Sequence, residues 1–267
     1  MNIHAQTQIG VLLGGLSKER EVSLRTGKAL ANALRNRGYA RVEEIDVDRG
    51  IAGRLERDPI DVAVIALHGN YGEDGTIQGV LEYLGIPYTG CGVTASAVAM
   101  DKTLSKKLFV MNGIQTPPWH VSTRAESIDA LLSALAATTG FPCIAKPNQE
   151  GSTLGFSKVS DASAVAKAQS LALAHGSTVL WEKFIGGLEC TVSVLHGRAL
   201  PVVEIRPHSG AYDYTAKYTK GTTDYFCPAR VSSEATKIMQ EVALRAAGAL
   251  STQELCRVDI LLEGDVP

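Results

Sequence analysis

The first hundred residues alternate short apolar runs with segments of helical periodicity. Ile9–Leu13 and residues 62–67 are runs of the length typical of buried strands, whereas residues 22–34 carry apolar side chains at the spacing of one helical face. Strands that alternate with helices favour a parallel sheet covered by helices. The pattern therefore predicts a parallel α/β domain over residues 1–100.

A second block, residues 101–187, mixes helices with strands around a small-residue loop. Pro117 and Pro118 interrupt the chain after the first predicted helix. The predicted elements are helices over residues 101–112, 128–138 and 162–174 and strands over residues 142–146, 156–159 and 178–185. The order of these elements indicates an α+β lobe with an antiparallel hairpin.

The third block, residues 188–267, begins with an antiparallel hairpin. His196 and Gly197 separate two alternating runs, as in a two-residue hairpin turn. The predicted elements are the hairpin strands (190–195 and 199–205), a helix (235–249) and a final strand (257–262). Residues 207–227 show no clean periodicity, and so long an irregular stretch is typical of a lid or binding loop.

Composition narrows the class of protein. Of 267 residues 45% are hydrophobic, and 26 basic against 28 acidic side chains leave a net charge of −2. These values exclude a wholly disordered chain and argue against a nucleic-acid-binding polycation. The longest apolar run, residues 62–67, is far shorter than the roughly 20 residues that cross a bilayer. The N-terminus lacks a basic leader, so we expect no signal peptide and a cytoplasmic location.

The five cysteines are widely spaced and include no Cys-x-x-Cys pair. An odd number without such spacing disfavours a disulfide framework or a zinc site. We therefore expect reduced cysteines that lie mostly in the core.

Two loops of the first block carry candidate substrate-binding groups. Gly14 and Gly15 end the first strand, where glycines permit positive φ and close backbone approach. Glu19 follows, with a carboxylate that could pair with a substrate ammonium, and His68 follows the second apolar run. Because the carboxyl ends of parallel strands form a crevice, we expect Glu19 and His68 to lie in it. A tight structural turn with solvated charges is the alternative for the glycine pair.

Lys146 ends a predicted strand and is followed by a small-residue loop with glycines at its core, residues 150–155, which we call, together with the residues that lead into it, the glycine-rich loop. Its backbone N–H groups could cradle phosphates, with positive charge from Lys146. The sequence lacks Gly-x-x-x-x-Gly-Lys-Ser/Thr, so it is not a P-loop nucleotidase. A flexible turn is the alternative interpretation.

Glu182 and Lys183 interrupt an otherwise apolar strand. Two adjacent charges in a buried strand would be costly. A strand edge that offers backbone groups to an adenine, with Glu189 available for a ribose, would account for them. The alternative is a pair of outward-facing charges on an edge strand.

Arg257 and Asp259 are two residues apart on a predicted strand, so they share a face. The carboxylate could hold Mg²⁺, while the guanidinium could face developing negative charge. The preceding loop, residues 207–227, is rich in aromatic residues such as Tyr218. Aromatic side chains on a mobile loop can close over a ligand and exclude water.

Seven segments together resemble the D-alanine–D-alanine ligases of the ATP-grasp superfamily. They occur in that family's order and spacing: GVLLGGLSKEREVSL, ALHGNYGEDGTIQGVLEYLGIPYTG, MDKTLSK, IAKPNQEGSTLG, EKFIGGLE, YDYTAKY and CRVDILL. The first two are typical of this ligase family, whereas the loop segment and the Glu-Lys strand also recur in other ATP-grasp enzymes. The resemblance implies a two-lobed ATP-grasp fold after the N-terminal domain.

The resemblance also implies an activity. Such an enzyme joins two D-alanines through a D-alanyl phosphate for peptidoglycan synthesis, and so for cell-wall biogenesis and cell shape. It implies ATP and Mg²⁺, with Mn²⁺ as an alternative metal. It further implies a cytoplasmic homodimer with small-molecule substrates and with no nucleic-acid or membrane partner.

Residue roles follow from the same resemblance. Glu19 would bind the ammonium of the first D-alanine, and His68 would lie beside its carboxylate. The catalytic group that it implies is Glu19, Ser152, Tyr218 and Arg257. Arg257 would stabilise the tetrahedral intermediate, and Asp259 would bind the metal ion.

The nucleotide-binding residues implied by the resemblance are Lys102, Lys146, Ser152, Glu182, Lys183, Ile185, Glu189 and Lys217. Lys102 and Lys146 would contact the ATP phosphates, and Lys217 would reach the γ-phosphate as the lid closes. The glutamates, with Lys183 and Ile185, would line the adenosine pocket.

Two alternatives stay open at this stage. One is another ATP-grasp carboxylate–amine ligase, such as one of glutathione-synthetase type, and the other is a non-catalytic nucleotide- or D-alanine-binding protein. Tyr218 stands in an Ala-Lys-Tyr segment where depsipeptide-forming relatives commonly carry Phe. This residue predicts an amine, rather than a hydroxy acid, as the second substrate.

The end of the sequence carries a separate expectation. Residues 263–267 are predicted to form a turn, and the family's Glu-x-Asn strand and its Pro-Gly-Met-Thr-like stretch do not follow. The resemblance therefore implies a missing C-terminal segment, which leaves Asp259 as the one metal ligand that can be identified. On this interpretation the 267-residue chain is nearly inactive and its last strand is open to association.

Overall fold

A computed structural model describes residues 3–151, 154–208, 216, 219, 221–252, 254–264 and 266–267. The chain divides into two compact units, Met1–Ala97 and Val98–Pro267. Within the described residues, the first unit holds a parallel sheet and the second holds two antiparallel sheets. The predicted α/β class is confirmed, whereas the division of the sequence at residues 100 and 187 stays a prediction.

The first unit is built on a parallel sheet of order β2-β1-β3. Its elements are β1 (Ile9–Leu13), α1 (Arg20–Asn36), β2 (Val42–Asp46), α2 (Ile51–Arg57), β3 (Val62–Ile65) and α3 (Thr76–Tyr83). Strand β1 is central and every residue in it is buried. Helix α1 faces the sheet with the small residues Ser23, Gly27 and Ala31. A side chain at Gly27 would collide with Leu13, so the small residues let the helix lie close to the strands.

Helix α4 (Val93–Met100) runs across the division at residue 97, and the first sheet of the second unit has the order β4-β7-β5-β6. The elements of this part are α5 (Lys102–Met111), β4 (Trp119–Thr123), α6 (Ile128–Thr138), β5 (Cys143–Pro147), β6 (Ser157–Val159), α7 (Val165–Leu173) and β7 (Thr178–Lys183). Helices α6 and α7 cover one face, where Trp181 is fully buried and donates to Ser122 Oγ. The other face carries the charged residues Lys146 and Glu182.

The second sheet of this unit has the order β11-β10-β8-β12, and β9 pairs with β8. Its elements are β8 (Leu188–Leu195), β9 (Arg198–Ala199), β10 (Val203–Pro207), β11 (Thr223–Phe226), α8 (Ser233–Leu250) and β12 (Leu255–Leu262). Helix α8 packs on the face that bears Cys190, Val192 and Ile260. Exposed and covered residues alternate along β12, as predicted for a strand with one buried face.

The prediction and the structure differ most in two segments of the third block. The predicted strand over residues 199–205 is interrupted, because the pairing with β8 shifts by one residue around Pro201, which has no N–H to donate. Thr223–Phe226 forms a strand although residues 207–227 show no periodicity. This strand lies at a sheet edge with no buried residue, so burial imposes no alternation on it.

The expectation for the cysteines is only partly met. Cys143 and Cys190 are buried, Cys91 and Cys256 are half-buried and Cys227 is exposed, so two cysteines rather than most of them lie fully in the core. Among the residues described, no helix combines the length and the apolar character that a bilayer crossing requires.

Candidate functional site

The loop after β1 makes a tight turn at the glycine pair, where the sequence leaves both a substrate-binding loop and a structural turn open. Gly14 and Gly15 have φ angles of 72° and 82°, in the left-handed region that favours glycine. A side chain at Gly14 would collide with the Arg20–Asp46 ion pair. Positive φ and close approach are therefore both needed here.

Ser17 links Glu19 to His68. The Ser17 hydroxyl donates to the His68 carbonyl oxygen at 2.6 Å and accepts from the Glu19 N–H at 3.1 Å. Glu19 is only 6% exposed, and its Oε2 would lie 2.5 Å from a Cβ at Gly69. The structure thus brings Glu19 and His68 to the same end of the sheet, as expected for loops that leave parallel strands.

The His68 ring is held by two neighbouring groups. Its Nε2 lies 3.1 Å from Thr26 Oγ1, and its Nδ1 lies 3.7 Å from Glu73 Oε1. Glu73 also accepts the Gly69 N–H at 2.6 Å, which fixes the loop. A cavity of about 270 Å³ opens beside the ring, and its lining includes Gly14, Gly15, Ser17, His68 and Tyr71. A small polar substrate could lie here.

Glu182 on β7 is the centre of a buried ionic cluster, which we call the lysine cluster and which comprises Lys102, Lys106, Lys146 and Glu182. Lys106 Nζ lies 2.6 Å from Glu182 Oε1, and Lys146 Nζ contacts Glu182 Oε2. Lys106 also donates to Thr116 Oγ1 at 2.6 Å. The side chains of Lys106 and Glu182 are only 5% and 13% exposed.

The ionisation of the cluster follows from burial and charge. Burial by itself would raise the pKa of Glu182, but Lys146 and Lys106 together reverse this effect and lower it to about 2. Burial lowers the pKa of Lys106 despite its contact with Glu182. Burial, reinforced by repulsion from Lys146, lowers the pKa of Lys102 to about 8. Three lysines around one carboxylate favour the binding of an anion such as a phosphate.

Lys102 connects this cluster to the glycine-rich loop. Its Nζ donates to the carbonyl oxygens of Asn148 at 3.2 Å and Glu150 at 2.6 Å. The loop joins the antiparallel strands β5 and β6, as the sequence predicts. The two lysines named from the sequence, Lys102 and Lys146, therefore both lie at the start of this loop.

The expectation that Glu182 and Lys183 lie on a strand edge is wrong. Strand β7 pairs with β4 on one side and β5 on the other. The Lys183 N–H donates to the Pro118 carbonyl oxygen at 2.9 Å, so the sheet uses this group. Glu182 is tolerated in an internal strand because two ammonium groups compensate its charge. Ile185, which is half-buried, lies two residues beyond the end of the strand.

Arg257 and Asp259 share one face of β12, as their spacing predicts. Arg257 Nε donates to Asp259 Oδ1 at 3.0 Å, and the same oxygen accepts the Thr191 hydroxyl at 2.7 Å. Glu189 lies two residues before Thr191 on β8 and therefore on the same face. Helix α8 packs against the opposite face of the sheet, so these polar side chains and the helix lie on different sides of it.

The described residues fit a metal ion that is held partly by substrate phosphates better than one that is held by protein side chains alone. No three His, Cys, Asp or Glu side chains converge to hold an ion in the part of the chain that the structure describes. Asp259 offers one carboxylate, which is already paired with Arg257. Mg²⁺ commonly takes one or two carboxylates together with substrate phosphates, and Asp259 suits that arrangement.

Three residues named from the sequence, Ser152, Lys217 and Tyr218, lie outside the described residues. Conversely, sequence reasoning missed Lys106, the most buried cation of the lysine cluster. A signal was available, because Lys106 follows Lys102 by four residues on a predicted helix and must share its face. Asp101 and Asn148, which hold Lys102 and the loop, were also missed.

Two family descriptions match the chain. Residues 108–266 match "D-ala D-ala ligase C-terminus", and residues 41–91 match "D-ala D-ala ligase N-terminus". A curated D-alanine--D-alanine ligase of Syntrophotalea carbinolica is 46% identical over 257 residues, which cover 96% of this chain and 82% of that protein. A second, from Anaeromyxobacter sp., is 44% identical and covers 97% of this chain and 83% of its own length.

Solved structures have the same fold. A D-alanine--D-alanine ligase from Bacillus anthracis matches with a TM-score of 0.85 at 35% identity, covering 98% of this chain and 84% of that one. The same enzyme complexed with ATP matches with a TM-score of 0.81 at 33% identity and the same coverage. The VanG D-Ala:D-Ser ligase from Enterococcus faecalis matches with a TM-score of 0.82 at 29% identity, covering 98% and 88% of the two chains. By both of its matched parts and by these identities, the chain belongs to the D-alanine–D-alanine ligase family.

Proposed function

We propose that this protein is an ATP-dependent ligase that joins two D-alanines into D-alanyl-D-alanine. The observation that carries the proposal is the lysine cluster at the start of the glycine-rich loop, in a chain that belongs to this ligase family. Its surplus of positive charge suits the phosphates of ATP. Glu19 and His68 supply a carboxylate and an imidazole for a small zwitterionic amino acid.

The first step activates a carboxylate, which is a poor electrophile by itself. An oxygen of the first D-alanine's carboxylate attacks the γ-phosphorus of ATP, and the bond to the bridging oxygen of ADP breaks. In our proposal Glu19 holds the ammonium of this D-alanine, and His68 lies beside its carboxylate. Lys102, Lys146 and Lys217 hold the phosphates and neutralise their charge.

The second step forms the peptide bond. The amine of the second D-alanine attacks the acyl carbon of D-alanyl phosphate, a proton leaves the nitrogen, and inorganic phosphate departs. Arg257 would stabilise the negative oxygen of the tetrahedral intermediate. Ser152, Tyr218 and Glu19 would orient the substrates. In this scheme the protein forms no covalent bond to the substrate.

The remaining ligands in the proposal serve the nucleotide and the metal ion. Glu182, Lys183, Ile185 and Glu189 would line the adenosine pocket. Mg²⁺, with Mn²⁺ as a substitute, would be held in part by Asp259 and would neutralise phosphate charge when bound.

The cellular role follows from the product. D-alanyl-D-alanine is a peptidoglycan precursor, so the enzyme would serve cell-wall biogenesis and cell shape. By its resemblance to this family, we place it in the cytoplasm as a homodimer with small-molecule substrates.

The test is phosphate release from ATP in the presence of Mg²⁺ and D-alanine. We expect release that depends on D-alanine, together with a dipeptide product identified by mass spectrometry. D-serine, D-lactate and a thiol amino acid replace the second substrate in parallel reactions. Preference for D-serine would indicate an activity like that named for the Enterococcus faecalis relative, and preference for D-lactate would contradict the assignment of Tyr218. ATP binding without any turnover would favour a non-catalytic binding protein.

A further inference from the structure

The start of the glycine-rich loop is tied to the N-terminus of α5 by a dense set of hydrogen bonds. Asn148 Nδ2 donates to Asp101 Oδ1 at 2.9 Å, and Gln149 Nε2 donates to Asp101 Oδ2 at 2.8 Å. Asn148 Oδ1 accepts the Thr103 N–H at 2.8 Å and the Thr103 hydroxyl at 2.7 Å. Asp101 also caps α5 by accepting the Leu104 N–H at 2.9 Å.

The same residues hold Lys102. Its backbone N–H donates to the Asn148 carbonyl oxygen at 3.3 Å, and its ammonium donates to that oxygen and to the Glu150 carbonyl oxygen. Asn148 is only 5% exposed, although it begins a loop. A buried amide whose donor and acceptor are both used fixes its neighbours in one arrangement.

We propose that Asp101 and Asn148 are positioning residues, which set the start of the glycine-rich loop and the Lys102 ammonium in the geometry that receives nucleotide phosphates. The inference rests on the proposed function, because it assigns the loop and Lys102 to ATP. Both residues take part because Asn148 lies in the loop and Asp101 lies at the N-terminus of α5, and their hydrogen bond joins the two. Asp101 is ionised in this network, where its hydrogen bonds from the α5 and loop groups outweigh burial and lower its pKa.

A substitution that adds a negative charge but hardly changes the size of the side chain tests the role of Asp101 and Asn148. Asn148→Asp would place a second carboxylate against Asp101 and remove the amide donor. We expect the Kd of a non-hydrolysable ATP analogue, measured by calorimetry, to rise at least tenfold. Amide hydrogen exchange over residues 148–151 should accelerate in the same variant, while exchange in β7 stays unchanged.

A second substitution should relieve this defect. Asp101→Asn by itself should have a smaller effect, because asparagine also caps helices well and the Gln149 amide can turn to accept. The double variant Asp101→Asn with Asn148→Asp removes the like charge, although one oxygen of residue 101 accepts from both Leu104 and residue 148, and it should recover part of the affinity that Asn148→Asp loses. Recovery in the double variant shows that the contact between the two positions sets the affinity, and melting temperatures of all three variants separate this effect from a general loss of stability.

The matched control is Asp161→Asn. Asp161 also caps a short helical turn by accepting the Ser163 N–H at 2.9 Å, and it lies at the other end of the β5–β6 hairpin. This variant should bind the analogue as the native protein does.

Three results would overturn the inference. The first is native affinity in Asn148→Asp, and the second is no recovery in a double variant whose melting temperature is native. The third is a lower melting temperature with unchanged affinity, which would make the network structural only. Analogue binding without phosphate release in the native protein would refute the proposed function while leaving this test intact. Absence of analogue binding by the native protein would refute both.

Discussion

Two ionic groups of the second unit use the same kinds of side chain in opposite environments. In the lysine cluster, Lys106 and Glu182 are 5% and 13% exposed. On β12, Arg257 and Asp259 are each 53% exposed and form a pair between residues i and i+2 of one strand. The first group joins three separate elements of the chain, whereas the second lies within a single strand.

The difference shows what burial does to an ion pair. An exposed pair is screened by water and contributes little to stability, typically up to about 1 kcal/mol. A buried cluster has lost its hydration, so each charge depends on its partners, and removing one leaves another uncompensated. The lysine cluster should therefore respond strongly to single substitutions, whereas the exposed β12 pair can exchange a partner for a substrate or a metal ion at little cost.

The largest effect is expected for Lys106→Met. The substitution keeps the length of the side chain but removes the donor that two buried oxygens share, Thr116 Oγ1 and Glu182 Oε1, so the free energy of unfolding should fall by about 2–4 kcal/mol. Urea denaturation measures this change. Lys107→Met, at an exposed position on the same helix, should change stability by less than about 0.5 kcal/mol. Equal effects of the two variants would contradict the contrast between the buried and exposed groups.

Low pH should reduce the free energy of unfolding, because the Glu182 carboxylate then becomes protonated. The pKa of this carboxyl is about 2 in the folded protein and 4.5 in the reference state. Its contribution, roughly 3 kcal/mol, is fully present above pH 4.5 and is lost as pH falls towards 2. Glu182→Gln should flatten the pH dependence of unfolding in this range. Asp259→Asn, at an exposed carboxylate, serves as the control. A pH dependence of unfolding in Glu182→Gln equal to that of the native protein would refute the assignment of this acid sensitivity to Glu182.

The third effect in order of size is expected on the affinity for the nucleotide. Lys146→Met removes one of the ammonium groups proposed to contact the phosphates, and the Kd of ATP should rise by about tenfold or more, or roughly 1.4 kcal/mol. Lys167→Met, an exposed position on α7, is the matched control. Calorimetry with both variants decides the matter, since native affinity in Lys146→Met would remove this residue from the ATP site.

The smallest effect on stability is expected at the β12 pair. Asp259→Ala breaks an exposed pair and should change the free energy of unfolding by less than about 1 kcal/mol. Its turnover should nevertheless drop steeply if the carboxylate holds the metal ion, with a higher Mg²⁺ requirement in the phosphate-release assay. A large loss of stability, or full activity at low Mg²⁺, would overturn the comparison.

Local patterns in the sequence determined much of this protein. The runs that formed β1 and α6 were predicted with the bounds observed, because burial of one face imposes a period on neighbouring residues. The same logic placed Arg257 and Asp259 on one face of β12. Gly14 and Gly15 were predicted to adopt positive φ, since backbone sterics act within a single residue.

Tertiary structure alone decided which charged and polar side chains meet. Lys106 and Glu182 are 76 residues apart in the sequence, and Asp101 and Asn148 are 47 apart. Periodicity carries no information about such pairs, because it reports which face of an element is buried and not what lies against the other face. The pairing of β7 with both β4 and β5 likewise decided that Glu182 lies inside a sheet rather than at its edge. A charge in that position is stable only because the folded chain brings two lysines to it.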